Sequence, residues 1–100
     1  MIEMPLNNSQ SRYLRGLCHR LKPVVMVADK GLSENVMAEI ELALEHHELI
    51  KLKLRGDREQ RKLWLQTINS KFSATLVHNI GQVACLYRRN NKNPKIALPT

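Results

Sequence analysis

Residues 50–55 read Ile-Lys-Leu-Lys-Leu-Arg, and this alternation decides the fold. Successive side chains of a β-strand point to opposite faces of a sheet, so Ile50, Leu52 and Leu54 share one face and the cations between them share the other. The segment therefore predicts a strand with one face in the core and a second face that carries Lys51, Lys53 and Arg55.

The residues before this strand predict a helix and, before the helix, a short buried strand. Ser33 is a fair N-cap, and apolar residues then recur at helical spacing up to about His46, namely Val36, Met37, Ile40 and Leu44. Residues 24–27 read Val-Val-Met-Val, a mostly β-branched run that is typical of a buried strand. Because a helix connects the two strands, we expect them to pair in parallel.

Two further helices are predicted at either side of this unit. The first covers residues 9–21 and cannot continue past Pro23; its apolar positions are Leu14, Leu17, Cys18 and Leu21, and its outer side is basic, with Arg12, Arg15, His19 and Arg20. The other begins at Asp57, which with Gln60 has the spacing of a capping box, and should end near Ser70. Its apolar side consists of Leu63, Trp64 and Ile68.

The remaining sequence completes an α/β fold of order α-β-α-β-α-β-β. Residues 74–80 and 83–88 are strand-like, and Gly81-Gln82 between them fits a tight hairpin. These elements predict a mixed four-stranded sheet with flanking helices, in one domain over residues 1–100 with a core at about 9–89 and an irregular tail at 90–100. The helices should cover one face of the sheet and leave the Lys51 face at least partly open.

Charge is spread unevenly along the chain, whose net charge is +7. Residues 29–48 hold six acids and one cation, a net charge of −5, and the rest of the chain holds 15 cations and three acids, a net charge of +12. A basic surface opposed by an acidic one would attract and orient a polyanion. A merely soluble basic protein would have the same composition, so composition alone does not decide between the two.

The loop Ala28-Asp29-Lys30-Gly31 is a candidate phosphate site, because it leads to a helix N-terminus with free backbone N–H groups. A glycine before an N-cap is also common turn chemistry. The basic residues come from segments that adjoin this loop or the same sheet, which favours one binding surface: Arg12, Arg15, Arg20, Lys22, Lys30, Lys51, Lys53 and Arg55. Only Tyr13 and Tyr87 are plausible stacking surfaces, so phosphate contacts and RNA shape should dominate.

The sequence offers little support for an enzyme, a metal site or a membrane protein. His46 and His47 are adjacent and point about 100° apart on a helix, so they suit the negative end of the helix dipole better than one metal ion. Cys18 and Cys85 lack any CxxC spacing and are interpreted as small core residues, not as a disulfide framework. With no signal peptide and no long apolar run, we expect a cytoplasmic protein without cofactor or small-molecule substrate.

Several motifs together resemble one family. They are Leu17-Cys18-His19-Arg20-Leu21-Lys22-Pro23-Val24-Val25, Gly31-Leu32-Ser33, Glu39-Ile40-Glu41, residues 43–51, Asp57-Arg58-Glu59, Ile80-Gly81, Leu86-Tyr87-Arg88 and Lys95-Ile96-Ala97-Leu98-Pro99. The stretch from about Ser9 to Leu98 resembles the CRM domain (chloroplast RNA splicing and ribosome maturation), and more closely the stand-alone bacterial YhbY type.

This resemblance implies a fold similar to the C-terminal domain of translation initiation factor 3. It also implies RNA binding and association with precursors of the large ribosomal subunit. The loop at residues 28–31 corresponds to a GxxG motif that clamps nucleic-acid backbone, with Ala28 in place of the first glycine and an acid at Asp29. His19 on the first helix and Arg88, within the matching Leu-Tyr-Arg motif, join the candidate RNA-binding residues.

Two rival functions remain open at this stage. The first is a protein-interaction adaptor that docks on a basic ribosomal protein through its acidic second helix. The second is a small hydrolase or metal protein built around His46, His47 or Cys85. Binding to protein-free ribosomal RNA would separate the first rival from an RNA-binding protein, and a metal assay would exclude the second.

Overall fold

The helices and strands follow the predicted order in a computed structural model that describes residues 6–99. The elements are α1 (Asn8–Cys18), β1 (Val25–Val27), α2 (Glu34–His47), β2 (Leu49–Leu54), α3 (Arg58–Phe72), β3 (Thr75–Ile80) and β4 (Val83–Tyr87). The strands form a sheet in the order β1-β2-β4-β3, with β1 parallel to β2 and the other neighbours antiparallel. The mixed four-stranded α/β sheet is therefore confirmed. The sequence predicts that the chain has no signal peptide. That prediction concerns a segment starting at residues 1–5, which lie outside the described residues.

Side-chain caps fix where the helices begin. Capping boxes start α1 and α3, formed by Asn7 with Gln10 and by Asp57 with Gln60, so the predicted second box is confirmed. At the other end of α1 the helix stops at Cys18, three residues earlier than predicted. The chain there tightens into a turn, in which the Arg20 N–H donates to the Leu17 carbonyl at 3.1 Å.

The main core lies between one face of the sheet and the two helices α2 and α3. Ile40 and Leu44 of α2 and Ile68 of α3 are fully buried there. They pack against the apolar side chains of the strands, which are Val25, Val27, Ile50, Leu52, Leu54, Ala84 and Leu86. The predicted core face of β2 is confirmed.

Helix α1 packs on the opposite face, which corrects the expectation that all helices share one side. Its Leu14 forms a second cluster with Leu49 and Tyr87, and Leu49 lies two residues before Lys51 on the same face of β2. This face is therefore apolar where β2 begins and cationic where β2 continues. The α1 helix covers the apolar half, and Lys51 and Lys53 stay partly exposed beside it.

Cys18 and Cys85 are both buried, as predicted, but they are not separate core residues. A disulfide joins them and so links α1 to β4, with their Cα atoms 6.5 Å apart. A separation of 67 residues in the sequence gave no sign of this proximity, because it arises only when α1 lies across the sheet. The interpretation of two unpaired cysteines was wrong.

The tail after β4 is irregular, as predicted, yet it is held to the domain by Glu48. This residue ends α2, has a φ of 62° and is fully buried. Its carboxylate accepts hydrogen bonds from the backbone N–H groups of Asn90 and Lys95, both at 2.6 Å, and of Ile96 at 2.7 Å. Ile96 and Leu98 then pack against the α1 cluster. Glu48 therefore belongs to the interior, although the sequence pattern placed it on an acidic surface.

Candidate nucleic-acid interface

A polar cleft of about 460 Å³ opens where the parallel strands β1 and β2 end. The loops that lead into α2 and α3 both line it, and the β3–β4 hairpin closes it; the lining residues are Ala28, Asp29, Arg55, Gly56 and Gln82. Backbone bonds bring the three segments together, since the Arg55 N–H donates to the Val27 carbonyl at 2.7 Å and the Leu54 N–H donates to the Gln82 carbonyl at 2.6 Å. The crevice outside the carboxyl ends of parallel strands is a common ligand site in α/β sheets.

Backbone geometry in the first of these loops is that of a tight turn. The Gly31 N–H donates to the Ala28 carbonyl at 2.7 Å, and Gly31 has a φ of 63°, which side-chain-bearing residues rarely adopt. Lys30 and Asp29 are exposed in this turn. A cation and an acid therefore stand beside each other at the mouth of the polar cleft.

The Trp64 side chain of α3 lies next to the loops that lead into α2 and α3. A Cβ atom added to Gly31 would lie 3.4 Å from the indole Nε1, and one added to Gly56 would lie 2.7 Å from the ring Cη2. The loop before α3 can therefore approach Trp64 so closely only because residue 56 is glycine, whereas an added Cβ at Gly31 would make ordinary contact and glycine is favoured there by its φ of 63°. Trp64 was predicted on the apolar side of α3, and its ring packs against the main core. Leu63, predicted on the same side, is 61% exposed, and α3 buries Leu65 there instead.

An open row of side chains crosses the sheet next to the polar cleft. Strand register aligns Met26 with Lys53, Lys53 with Val83, and Val83 with Ile80 on the face that α1 leaves uncovered. Met26 is 50% exposed and Ile80 is 64% exposed. Lys53 thus lies in the middle of an accessible apolar strip, as suits a side chain that contacts phosphate while its neighbours contact sugar or base. The prediction of a buried strand at residues 24–27 was therefore wrong for this face, since β1 lies at the edge of the sheet and buries only Val25 and Val27.

The other predicted cations fall into separate groups. Arg20, Lys22 and Lys51 lie together around the end of α1, where the Lys51 Nζ donates to the Leu21 carbonyl at 3.1 Å. His19 is exposed, and its ring centroid lies 5.7 Å from that of His78. Arg12 and Arg15 are exposed earlier on α1 and do not line the polar cleft.

Arg88 lies apart from these cations, on the acidic side of the molecule. Its guanidinium donates to both carboxylate oxygens of Glu41, at 2.6 and 3.2 Å, and to Glu45 at 3.3 Å. Only 17% of its side chain is exposed. Because two carboxylates already neutralise it, we leave Arg88 out of the proposed interface.

Two residues that line the polar cleft, Gly56 and Gln82, were not among the predicted site residues. Gly56 could have been found, because it directly precedes the N-cap Asp57 as Gly31 closely precedes the N-cap Ser33. Gln82 gave no such signal, since only the folded hairpin brings it to the ends of β1 and β2. Tyr87 was considered for stacking, but it is 5% exposed and belongs to the α1 cluster.

Residues 6–99 lack the features of a metal site and of a membrane-spanning helix. Within them, no three His, Cys, Asp or Glu side chains are grouped so that they could hold a metal ion. No helix in the same range has the length and apolar composition needed to cross a membrane.

Known proteins that are similar to this chain in sequence or structure are described in terms of RNA binding. Residues 6–88 match the family described as the CRS1 / YhbY (CRM) domain. A Haemophilus influenzae protein named an RNA-binding protein is 47% identical over 94% of this chain and 95% of its own length. A Pseudomonas aeruginosa protein named a probable RNA-binding protein is 42% identical, and the match covers 92% of this chain and 89% of that protein. The solution structure of a hypothetical Staphylococcus aureus protein, described as a candidate for RNA binding, has a TM-score of 0.78 and 32% identity over 95% of this chain and 100% of that chain.

Proposed function

The chain belongs to the CRS1/YhbY (CRM) domain family, and we propose from this premise that it is a non-enzymatic protein that binds structured RNA. Two of the relatives are named as RNA-binding or probable RNA-binding proteins, and the chain covers 95% and 89% of their lengths. The match therefore concerns nearly the whole of each relative. The proposed contacts are made mainly with phosphates and with the shape of the RNA.

The polar cleft is the observation that carries this proposal. The loops that line it lead into α2 and α3, helices of 14 and 15 residues, so the positive ends of two helix dipoles follow the lining residues along the chain. Arg55 lines the cleft and Lys30 is exposed in the adjoining turn. Two cations and the nearby positive ends of two helices favour a phosphate group, and Asp29 in the lining opposes it.

The position of the other cations extends this surface. Lys53 lies on the open row between the polar cleft and α1, and Lys51 follows it toward Arg20 and Lys22. Exposed aromatic side chains are scarce along this path, because Tyr87 is buried and Tyr13 is 44% exposed on α1. Electrostatic contact with the backbone, and not a platform of stacked aromatics, is what these residues support.

We further propose that the RNA is ribosomal, in cytoplasmic precursors of the large ribosomal subunit. The support is the resemblance to the stand-alone bacterial members of the family, together with the bacterial origin and similar length of the relatives. An assembly role requires RNA contact without turnover, which agrees with a surface built from cations, helix ends and apolar side chains.

The rival function is an adaptor that docks on a basic ribosomal protein through α2. Glu34 and Glu39 are exposed on that helix and would be free to do so. Glu41 and Glu45, however, already bind Arg88 within the same chain. Part of the acidic surface is thus neutralised internally, which favours RNA over a basic protein as the main partner.

A titration against protein-free ribosomal RNA fragments tests the proposal. The parent protein should bind, and the double variant Lys30→Ala/Arg55→Ala should bind about tenfold more weakly, since each screened charge contact is worth up to about 1 kcal/mol. The matched control is Lys62→Ala/Lys71→Ala, which removes the same charge from exposed positions of α3. Equal losses in both variants, or binding only to ribosomal proteins, would contradict the proposal.

A further inference from the structure

A second cleft, which is apolar, lies between the end of α1 and the edge of the sheet where β1 begins. Its volume is about 450 Å³, within the range of roughly 300–1,000 Å³ that is usual for small-ligand sites. Leu17 and Leu21 line it from the α1 side, and Leu49 and Val24 line it from the strands. The apolar side chains are accessible, since Leu21 is 36% exposed and Val24 is 49% exposed.

Cations surround this apolar cleft. Arg20, Lys22, Lys51 and His47 are the charged or titratable residues that line it, and no carboxylate is among its lining residues within the described part of the chain. The Lys51 Nζ donates to the Leu21 carbonyl at 3.1 Å. This hydrogen bond holds one cation between the apolar side chains of the cleft and the solvent. Such a site is complementary to a ligand with a flat apolar body and a negative charge attached to it.

We propose that this apolar cleft receives one unpaired base of the bound RNA, while phosphates next to that base contact Arg20 and Lys22. The inference rests on the proposed function and adds a second, chemically different subsite to it. A base in a duplex is stacked on both sides and cannot enter a cleft of this kind, whereas a base in a loop or bulge can be turned outward. The protein therefore distinguishes RNA with an unpaired nucleotide from a perfect duplex.

The tail contributes one wall of the same cleft. Ile96 lines it, and the Ile96 N–H donates to the buried Glu48 carboxylate at 2.7 Å. Glu48 thus holds this wall of the cleft against the domain.

A series of RNA hairpins tests the base subsite on the parent protein. One hairpin carries an unpaired loop, its relatives carry an abasic site at each loop position in turn, and a perfect duplex of equal length serves as reference. The abasic site at one position should weaken binding about tenfold, which corresponds to about 1.4 kcal/mol, because the apolar surface of the base is then no longer buried against the leucine and valine side chains. If every abasic hairpin binds as the intact one does, the inference is overturned while the proposed function stands.

Protein variants give an independent measurement. Leu21→Ser/Val24→Ser should bind the intact hairpin about tenfold more weakly, should no longer respond to the abasic site, and should bind the duplex as the parent does. The matched control is Leu42→Ser/Leu63→Ser, which changes side chains that are 59% and 61% exposed outside the cleft and should bind like the parent. Equal weakening toward hairpin and duplex would mean a backbone contact and would overturn the base subsite. If the cleft variant fails to fold, the abasic series still decides; if the parent binds no RNA at all, the proposed function fails and this inference with it.

Discussion

Glu48 shows how a single side chain can join α2 to the tail. A carboxylate offers two acceptor oxygens to the N–H groups of Asn90, Lys95 and Ile96, whereas an amide would turn its own N–H₂ group toward at least one of them. We expect Glu48→Gln to lower the free energy of unfolding by about 1–3 kcal/mol, because a buried donor loses its partner. Urea denaturation measures this change. Glu39→Gln, on the exposed side of the same helix, should stay within about 0.5 kcal/mol, and equal effects at both positions would refute the clamp.

The loop at residues 28–31 gives a prediction about affinity instead of stability. Ala28 stands where the GxxG motif implied by the resemblance would have its first glycine, and Asp29 places a negative charge at the polar cleft. Ala28→Gly should tighten RNA binding if the methyl group holds the backbone away from phosphate, and Asp29→Asn should tighten it by removing a like charge. Each gain should be on the order of 1 kcal/mol or less in a screened loop.

Titration of these loop variants at fixed salt provides the measurement, with Asn35→Gln on the exposed first turn of α2 as a neutral control. If Ala28→Gly, Asp29→Asn and the parent bind alike, the loop is only a turn in this protein, and the open row must hold the RNA without it.

Individual side chains were the least predictable part of the site. Arg88 lies in a family-like motif, but its side chain turns toward Glu41 and Glu45, 47 and 43 residues earlier. The side chains of β4 alternate between the two faces of the sheet, and only the position of α1 determines that the ring of Tyr87 is covered. Such contacts join distant segments, and no local pattern encodes them.

At the scale of elements, the contact between Trp64 of α3 and the two loops sets a steric requirement. Gly56→Ala would place a Cβ atom 2.7 Å from the ring, so we expect a loss of about 1–3 kcal/mol in the free energy of unfolding. Gly16→Ala is the matched control, because Gly16 lies within α1 and an added Cβ meets nothing within 4 Å. That control should stabilise the protein by up to about 1 kcal/mol, since alanine is the better helix former. Thermal unfolding of both variants would contradict this account if the two changes had the same sign.

Substitutions of two lysines in β2 separate an effect on RNA binding from an effect on stability. Lys53→Glu should weaken RNA binding and leave stability within about 0.5 kcal/mol, because the side chain lies on the open row. Lys51→Glu should cost more stability, since it breaks the hydrogen bond to the Leu21 carbonyl. Circular dichroism melts beside RNA titrations check both. A Lys53→Glu variant that unfolds would show that the open row is closed by another contact.

Elements themselves were largely predictable, because periodicity and caps are local signals. The alternation in β2 and the Asp57–Gln60 box both correspond to observed features. The side on which α1 packs was not predictable from α1 alone. It depends on Leu49, which was excluded from the strand when its start was placed at Ile50, one residue too late.

At the scale of the molecule, the charge pattern and the fold have to be taken together. Residues 29–48 contribute the acids of α2, whereas the polar cleft and the open row contribute cations from loops and strands. The uneven charge was visible in the sequence. Its division into a polar cleft, an open row and an apolar cleft was not, since each combines residues from at least two segments.

The salt dependence of binding tests the central claim, that cations at the polar cleft contact RNA phosphates. The logarithm of affinity should fall linearly with the logarithm of salt concentration, with a slope of roughly −3.5 for five contacts at about −0.7 each. The slope of Lys30→Ala/Arg55→Ala should be less steep by about 1.4, for two lost contacts, and that of Lys62→Ala/Lys71→Ala should equal the parent's. A nearly flat parent slope, or an unchanged slope in the cleft variant, would contradict the account.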